Sequence, residues 1–121
     1  MKTKTKTKTK EEIVKAAFEI IHRKGFNATG IQEILKRAGV PKGSFYFYFQ
    51  SKDDLGHHLI DHFLAFFISM ADEALKTNKS PIEQLRLFFD RLLTNCELAD
   101  FQGGCLIGNL AQESGGLDDK F

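Results

Sequence analysis

One run of this 121-residue chain limits its folding choices more than any other. Leu55, Leu59, Phe63, Phe66, Phe67 and Met70 recur at spacings that keep them on one side of a helix, and the pattern holds to about Lys76. Ser51 precedes it as an N-cap, with Asp53 and Asp54 in the first turn. Some 25 residues at about 1.5 Å each make a rod of roughly 37 Å. The middle of the chain is thereby committed to a long helix, and the elements on either side read the same way.

Upstream, Thr9-Lys10-Glu11-Glu12 has the form of a capping box. Ile13, Val14, Ala17, Phe18, Ile20 and Ile21 follow at helical spacing, and Gly25 stands where a helix-ending glycine belongs. Thr29-Gly30-Ile31-Gln32 is a second capping-box form, opening a short helix whose face is Ile31, Ile34, Leu35 and Ala38. Gly39 ends it, and Pro41 suits the first turn of a third, very short helix reaching Phe49. The alternating rings of Phe45 to Phe49 would suit a strand, but no partner strand exists in the sequence. As a helix, the run buries Phe45 with Phe49, puts Ser44, Phe47 and Tyr48 away from that face, and leaves Tyr46 at its edge. Downstream, Ser80, Pro81 and Glu83 open a helix with the stripe Ile82, Leu85, Phe88, Phe89, Leu92 and Cys96, which makes Cys96 a core residue. Gln102-Gly103-Gly104 breaks that helix, and a sixth runs from Cys105 to about Ser114 before Gly115-Gly116. The expected fold is all-α, with six helices and no internal repeat.

The charge distribution divides the chain. Residues 1–52 carry 12 Lys and Arg against 4 Asp and Glu, a balance of +8. Residues 53–121 carry 5 against 12, a balance of −7, so the net +1 conceals a basic front and an acidic back. Such a front suits a polyanion. Three parts follow: a disordered basic arm over 1–10, with lysines at 2, 4, 6, 8 and 10; a helix-turn-helix domain over 11–52; and a helical regulatory part over 53–121. No apolar run reaches the roughly 18 residues of a membrane span. Met1 to Lys10 lacks the apolar segment of a secretory signal, and two cysteines make no disulfide scaffold, so a reducing cytoplasm is expected. There is no nucleophile–base pair or phosphate loop to indicate an enzyme, and no cofactor is implied.

Within the helix-turn-helix, Lys42, Gly43 and Ser44 bring charge, a close-approaching backbone and a hydroxyl to the start of the second helix. Tyr46 and Tyr48 carry phenolic donors, and Lys52 lies in the first turn of the long helix. The stretch from Phe26-Asn27-Ala28-Thr29 through Ala38-Gly39-Val40-Pro41-Lys42-Gly43-Ser44-Phe45-Tyr46-Phe47-Tyr48-Phe49-Gln50-Ser51-Lys52 closely resembles the DNA-binding signature of TetR-family transcriptional repressors, over about residues 9–63. Gly103-Gly104-Cys105-Leu106-Ile107-Gly108-Asn109-Leu110-Ala111 is similar to a segment of one branch, some members of which respond to electrophiles. The resemblance implies a cytoplasmic homodimer that reads a palindromic operator in double-stranded DNA. It also implies a small-molecule or electrophile effector that releases the DNA, with the long helix as lever.

Two departures stand out. Phe47 occupies a base-facing position that is usually polar or basic in the family; it either packs on thymine methyls or packs on the protein. Family members also usually continue for several more helices, so the chain resembles a truncated member, and the homodimer is expected of the full length. The DNA set is therefore Lys42, Gly43, Ser44, Tyr46, Phe47, Tyr48 and Lys52, with Thr29 chiefly a helix cap and secondarily a phosphate contact. Lys42 and Lys52 are expected on phosphates, and the resemblance carries Tyr46 and Tyr48 over as backbone contacts. Cys105, at a helix start that favours a reactive thiol, is the effector or redox candidate, against the alternative of a small buried hydrophobe. Phe63, Phe66, Phe67, Phe88 and Phe89 are candidates to line an apolar effector pocket, or form plain core. Asp54, His58 and His62 share a helix face, but lack an evident fourth ligand, and no metal is expected. Two other functions remain beside the operator-binding repressor: a non-specific architectural DNA binder and a helical interaction module.

Overall fold

A computed structural model of the chain describes residues 2–114, and their side chains over 8–113. Six α-helices make up the described residues: α1 Lys2–Lys24, α2 Ile31–Ala38, α3 Phe45–Tyr48, α4 Lys52–Leu75, α5 Pro81–Leu98 and α6 Leu106–Ser114. A 3-10 turn, Lys42–Ser44, leads directly into α3. The all-α reading holds, and Gly115-Gly116 lies outside the described residues.

The first helix departs from expectation. It starts at Lys2, so the segment read as a disordered arm is helical backbone, and Thr9 lies within the helix instead of capping it. Lysine is a good helix former, and neither Gly nor Pro occurs before Gly25. Once the apolar turns around Ile13 to Ile21 are fixed, extension toward the N-terminus needs no further nucleation. Ile13, Val14, Ala16, Ala17 and Ile21 form its buried side.

The second helix begins one residue later than its sequence suggested. Gly30 is the N-cap, with no side-chain cap bond, and Thr29 falls just outside the helix. Its hydroxyl donates instead to the Gly25 carbonyl at 2.7 Å, and the residue is buried. The two later caps do form as read. Ser51 accepts from the Asp54 amide at 3.0 Å while Asp54 Oδ2 accepts from the Gln50 amide at 2.9 Å. Ser80 and Glu83 make a full capping box, with Pro81 in the first turn of α5.

One hydrophobic core unites α1, α2, α3, the first turns of α4, and α6. Phe45 and Phe49 are each 1% exposed at its centre, joined by Ile34, Leu35, Leu55 and Leu59. Leu106 and Leu110 of α6 belong to this same core. The division drawn at residue 52 therefore does not separate two cores: α6, from the acidic half, packs on the basic head.

Beyond this core, α4 and α5 run antiparallel. Gln84 Nε2 donates to the Leu75 and Thr77 carbonyls at 3.2 and 3.0 Å, Arg91 pairs with Glu73, and Asn95 Nδ2 reaches Met70 Sδ at 3.4 Å. Met70 and Ala74 are buried on the α4 side, but α5 has no buried residue. Ile82, Leu85, Phe89 and Leu93 are exposed, and so is Cys96, contrary to its reading as core. Helical spacing identifies a stripe of apolar residues but says nothing of what covers it.

Candidate nucleic-acid interface

The recognition element is short, and its rigidity comes from underneath. α2 closes on Gly39, whose amide donates to the Lys36 carbonyl at 3.2 Å while the Val40 amide donates to Leu35 O at 3.0 Å. Pro41 then turns the chain, and the Ser44 amide returns to the Pro41 carbonyl at 3.1 Å. Phe45 and Phe49, with ring centroids 5.5 Å apart, anchor the four residues of α3 in the core. The turn and short helix thus present their other side to solvent at a fixed angle.

On that outer side stand Lys42 and Gly43, both exposed, with open space where a Gly43 side chain would be. Tyr46 is 72% exposed and Phe47 65%. Phe47 meets the Tyr48 ring edge-on at 5.2 Å but leaves most of its own surface to solvent. Tyr48 and Tyr46 exchange the places expected of them: Tyr48 is half-buried and packs on the core, whereas Tyr46 projects outward. At about 100° per residue the two tyrosines flank the Phe45–Phe49 face symmetrically, so helical spacing alone does not say which of them packs on the core.

Three other members of the expected DNA set are engaged within the protein. Ser44 Oγ donates to the Pro41 carbonyl at 2.7 Å, so its proton is committed to the turn. Thr29 is 1% exposed, which removes it from reach of a phosphate. Lys52 turns inward: its ammonium donates to the Phe26 carbonyl at 2.7 Å and lies 4.5 Å above the Phe26 ring centroid. The structure therefore brings Lys42, Gly43, Tyr46 and Phe47 together on one outer surface and gives Lys52 and Thr29 internal work. Basic residues on neighbouring turns add to the local charge, although Lys24 and Arg37 pair with Glu33 and Glu19 at 2.6 and 2.9 Å.

In the back half, Cys105 is an exposed free thiol immediately before α6, and the Asn109 amide bonds to its carbonyl at 2.9 Å. The reading of Cys105 as a buried hydrophobe does not hold. The phenylalanines divide. Phe63, Phe67, Phe88 and Phe89 form a continuous line of rings with centroid separations of 6.3, 5.3 and 5.7 Å, extended at the head by Phe18 at 6.4 Å. Phe66 stands apart from that line, 52% exposed, beside a shallow groove of about 260 Å³ that it shares with Met70, Glu73, Arg91 and Asn95. A wider groove of about 800 Å³ lies between α1 and α4, lined by Val14, Phe18, His58 and His62 among others. His58 is occupied by its own helix, with Nδ1 2.9 Å from the Asp54 carbonyl. Among the described residues no three His, Cys, Asp or Glu side chains converge as a metal site would require.

His22, Phe26 and Glu113 were not singled out from sequence. Their contacts join a side chain to a backbone group far away in the chain, and no spacing rule connects residues 22 to 104 or 26 to 113.

A three-helix head with a Gly-Val-Pro turn, an outward-facing short helix and a long helix leaving it defines a helix-turn-helix DNA-binding fold. Residues 13–59 match the family model "Bacterial regulatory proteins, tetR family". The transcriptional regulator AcuR of Cereibacter sphaeroides is 41% identical over 112 residues, 92% of this chain and 51% of that protein. A crystal structure of a TetR regulatory protein from Rhodobacter sphaeroides superposes with a TM-score of 0.84 at 41% identity, over 92% of this chain and 59% of that one. The Escherichia coli protein NemR, in its reduced form, superposes with a TM-score of 0.77 at 29% identity, over 93% of this chain and 58% of that one. The chain belongs to the TetR family, a family of regulators and not of enzymes. It spans about half the length of the curated relatives it matches.

Proposed function

We propose that this chain is the DNA-binding head and first regulatory helices of a TetR-type transcriptional repressor. The observation that carries the reading is the surface made by Lys42, Gly43, Tyr46 and Phe47 on an α3 fixed from below by Phe45 and Phe49. Lys42 and the Tyr46 hydroxyl hold phosphates and set the register, which positions without specifying sequence. Phe47 enters the major groove and packs on thymine methyls. The basic α1 adds sequence-independent, salt-sensitive affinity.

The working form is a cytoplasmic homodimer on a palindromic operator, with two heads one helical turn of DNA apart. The effector is a small molecule or an electrophile. The line of rings from Phe63 to Phe89 and the exposed apolar residues of α5 supply one wall of an apolar effector site, and the exposed Cys105 supplies a thiol for an electrophile. NemR, to which the chain is similar, has a structure of a reduced form, and a redox-responsive Cys105 would accord with that.

Selection from a random duplex library, with wild type and Lys42→Ala in parallel, tests the reading. A palindrome enriched by wild type and lost with Lys42→Ala is expected. Enrichment of a single half-site would retain the recognition surface and remove the dimer from this length of chain. No enrichment at moderate salt would refute sequence-specific binding and favour the architectural or interaction-module function.

A further inference from the structure

The end of α1 and the loop after it are held by α6, a helix some 80 residues away in the chain. Glu113 Oε2 accepts from the Phe26 amide at 2.8 Å, and Oε1 accepts from the Asn27 amide at 3.3 Å. Gly25, at φ +95°, makes room for that carboxylate: a Cβ there would stand 2.6 Å from Oε1. At the other end of α6, His22 Nε2 donates to the Gly104 carbonyl at 2.5 Å. Gly103, at φ +87°, packs so closely on α1 that a Cβ would stand 2.6 Å from the His22 carbonyl. Between these two attachments, Leu106 and Leu110 are buried in the core of the head.

Phe26 is the point where these contacts converge. Its amide is held by Glu113 from α6, its carbonyl by Lys52 from α4, and its ring is 7% exposed. Lys52 is the first residue of α4, four positions after Tyr48 ends α3. A displacement of α6 thus has a short, hydrogen-bonded route to the base of the recognition element. A carboxylate on two backbone amides is a charge-assisted contact, stronger than neutral bonds of the same geometry.

We propose that Glu113 is a positioning residue: it fastens the loop between α1 and α2 to α6, so that the placement of α6 and of the Gly103–Cys105 segment sets the DNA affinity of the head. The functional half of this inference rests on the DNA-binding reading above. The contact itself does not.

The test compares Glu113→Ala and Glu113→Gln in the full 121-residue chain, by residue-resolved amide exchange and by duplex binding to the selected operator. In Glu113→Ala the Phe26 and Asn27 amides should exchange about tenfold faster or more, with the amides of Ile13 to Ile21 unchanged. Operator affinity should fall roughly three- to tenfold. Glu113→Gln keeps a carbonyl acceptor and should recover much of both effects. Because coupling is reciprocal, operator DNA should slow exchange across α6 in wild type and lose that effect in Glu113→Ala. Unchanged exchange at Phe26 and Asn27 would overturn the proposal. So would faster exchange spread evenly through α1, or faster loop exchange with undiminished affinity. Wild-type protein that binds no duplex would refute the DNA reading and the positioning role with it, and exchange alone would then decide whether Glu113 holds the loop.

Discussion

Lys52 separates two accounts of the same residue, and replacing it with methionine distinguishes them. From sequence it is a phosphate contact; in the structure its ammonium sits on the Phe26 carbonyl at 2.7 Å and over the Phe26 ring at 4.5 Å. Methionine retains most of the aliphatic length and removes both polar contacts. A hydrogen bond from a charged donor contributes about 1.5–3 kcal/mol. A cation over a ring at a partly exposed site adds about 0.5–1 kcal/mol. Against this, ordering a lysine side chain costs up to about 2 kcal/mol, part of which methionine also loses. The net destabilisation should be about 1–2 kcal/mol, or a fall in Tm of roughly 3–10 °C for a chain of this size. Thermal and urea unfolding followed by circular dichroism measure it. Operator binding at several salt concentrations supplies the second half of the test, since each phosphate contact contributes about 0.9 to the slope of log affinity against log salt. The structure predicts a lower Tm with an unaltered slope. An unchanged Tm with the slope reduced by about 0.9 would show that Lys52 leaves Phe26 for a phosphate and would refute the internal role.

Phe47→Ala removes a side chain that is mostly solvent-exposed, so it should change stability by less than about 0.5 kcal/mol while altering operator preference at one thymine position; a preference among operator variants identical to that of wild type would dismiss the base contact. Asp100→Gly should stabilise the chain by about 0.5–1 kcal/mol in urea unfolding, because Asp100 and Phe101 both hold left-handed backbone, at φ 54° and 55°, after α5; a loss of stability would mean that the Asp100 side chain contributes more than its backbone costs.

Those predictions divide along what a sequence can convey. The helices were readable because apolar periodicity is local: Ile13 to Ile21, Ile31 to Ala38 and Leu55 to Met70 each announce their own face. Caps with a side chain and a partner three residues on were readable at Ser51 and Ser80 for the same reason. Thr29 had the same signature and did not cap. Its hydroxyl instead donates to the Gly25 carbonyl, back toward the end of α1, and the glycine that follows it was able to begin α2 without a side chain. Phe45 and Phe49 were placed correctly because i and i+4 share a face even in a helix this short, whereas Tyr46 and Tyr48 were exchanged because they flank that face symmetrically and spacing cannot rank them.

Burial is where local pattern gives out, and Lys52, Cys96 and Cys105 show it from opposite sides. A lysine in a basic head turned inward because the Phe26 carbonyl, which also accepts from the Thr29 amide, and the Phe26 ring face lay within its reach. A cysteine on an apolar stripe stayed at the surface because nothing among the described residues lies over that side of α5. The same limit hid Glu113. Nothing in the Leu110-Ala111-Gln112-Glu113-Ser114 stretch signals that two backbone amides at Phe26 and Asn27 need an acceptor. Yet buried or half-buried amides must be satisfied by some partner, so each loop in a compact head raises the question of what accepts its N–H groups. After α1 that question has an answer in α6, whose Leu106 and Leu110 bring the acidic half of the chain into the core of the basic one.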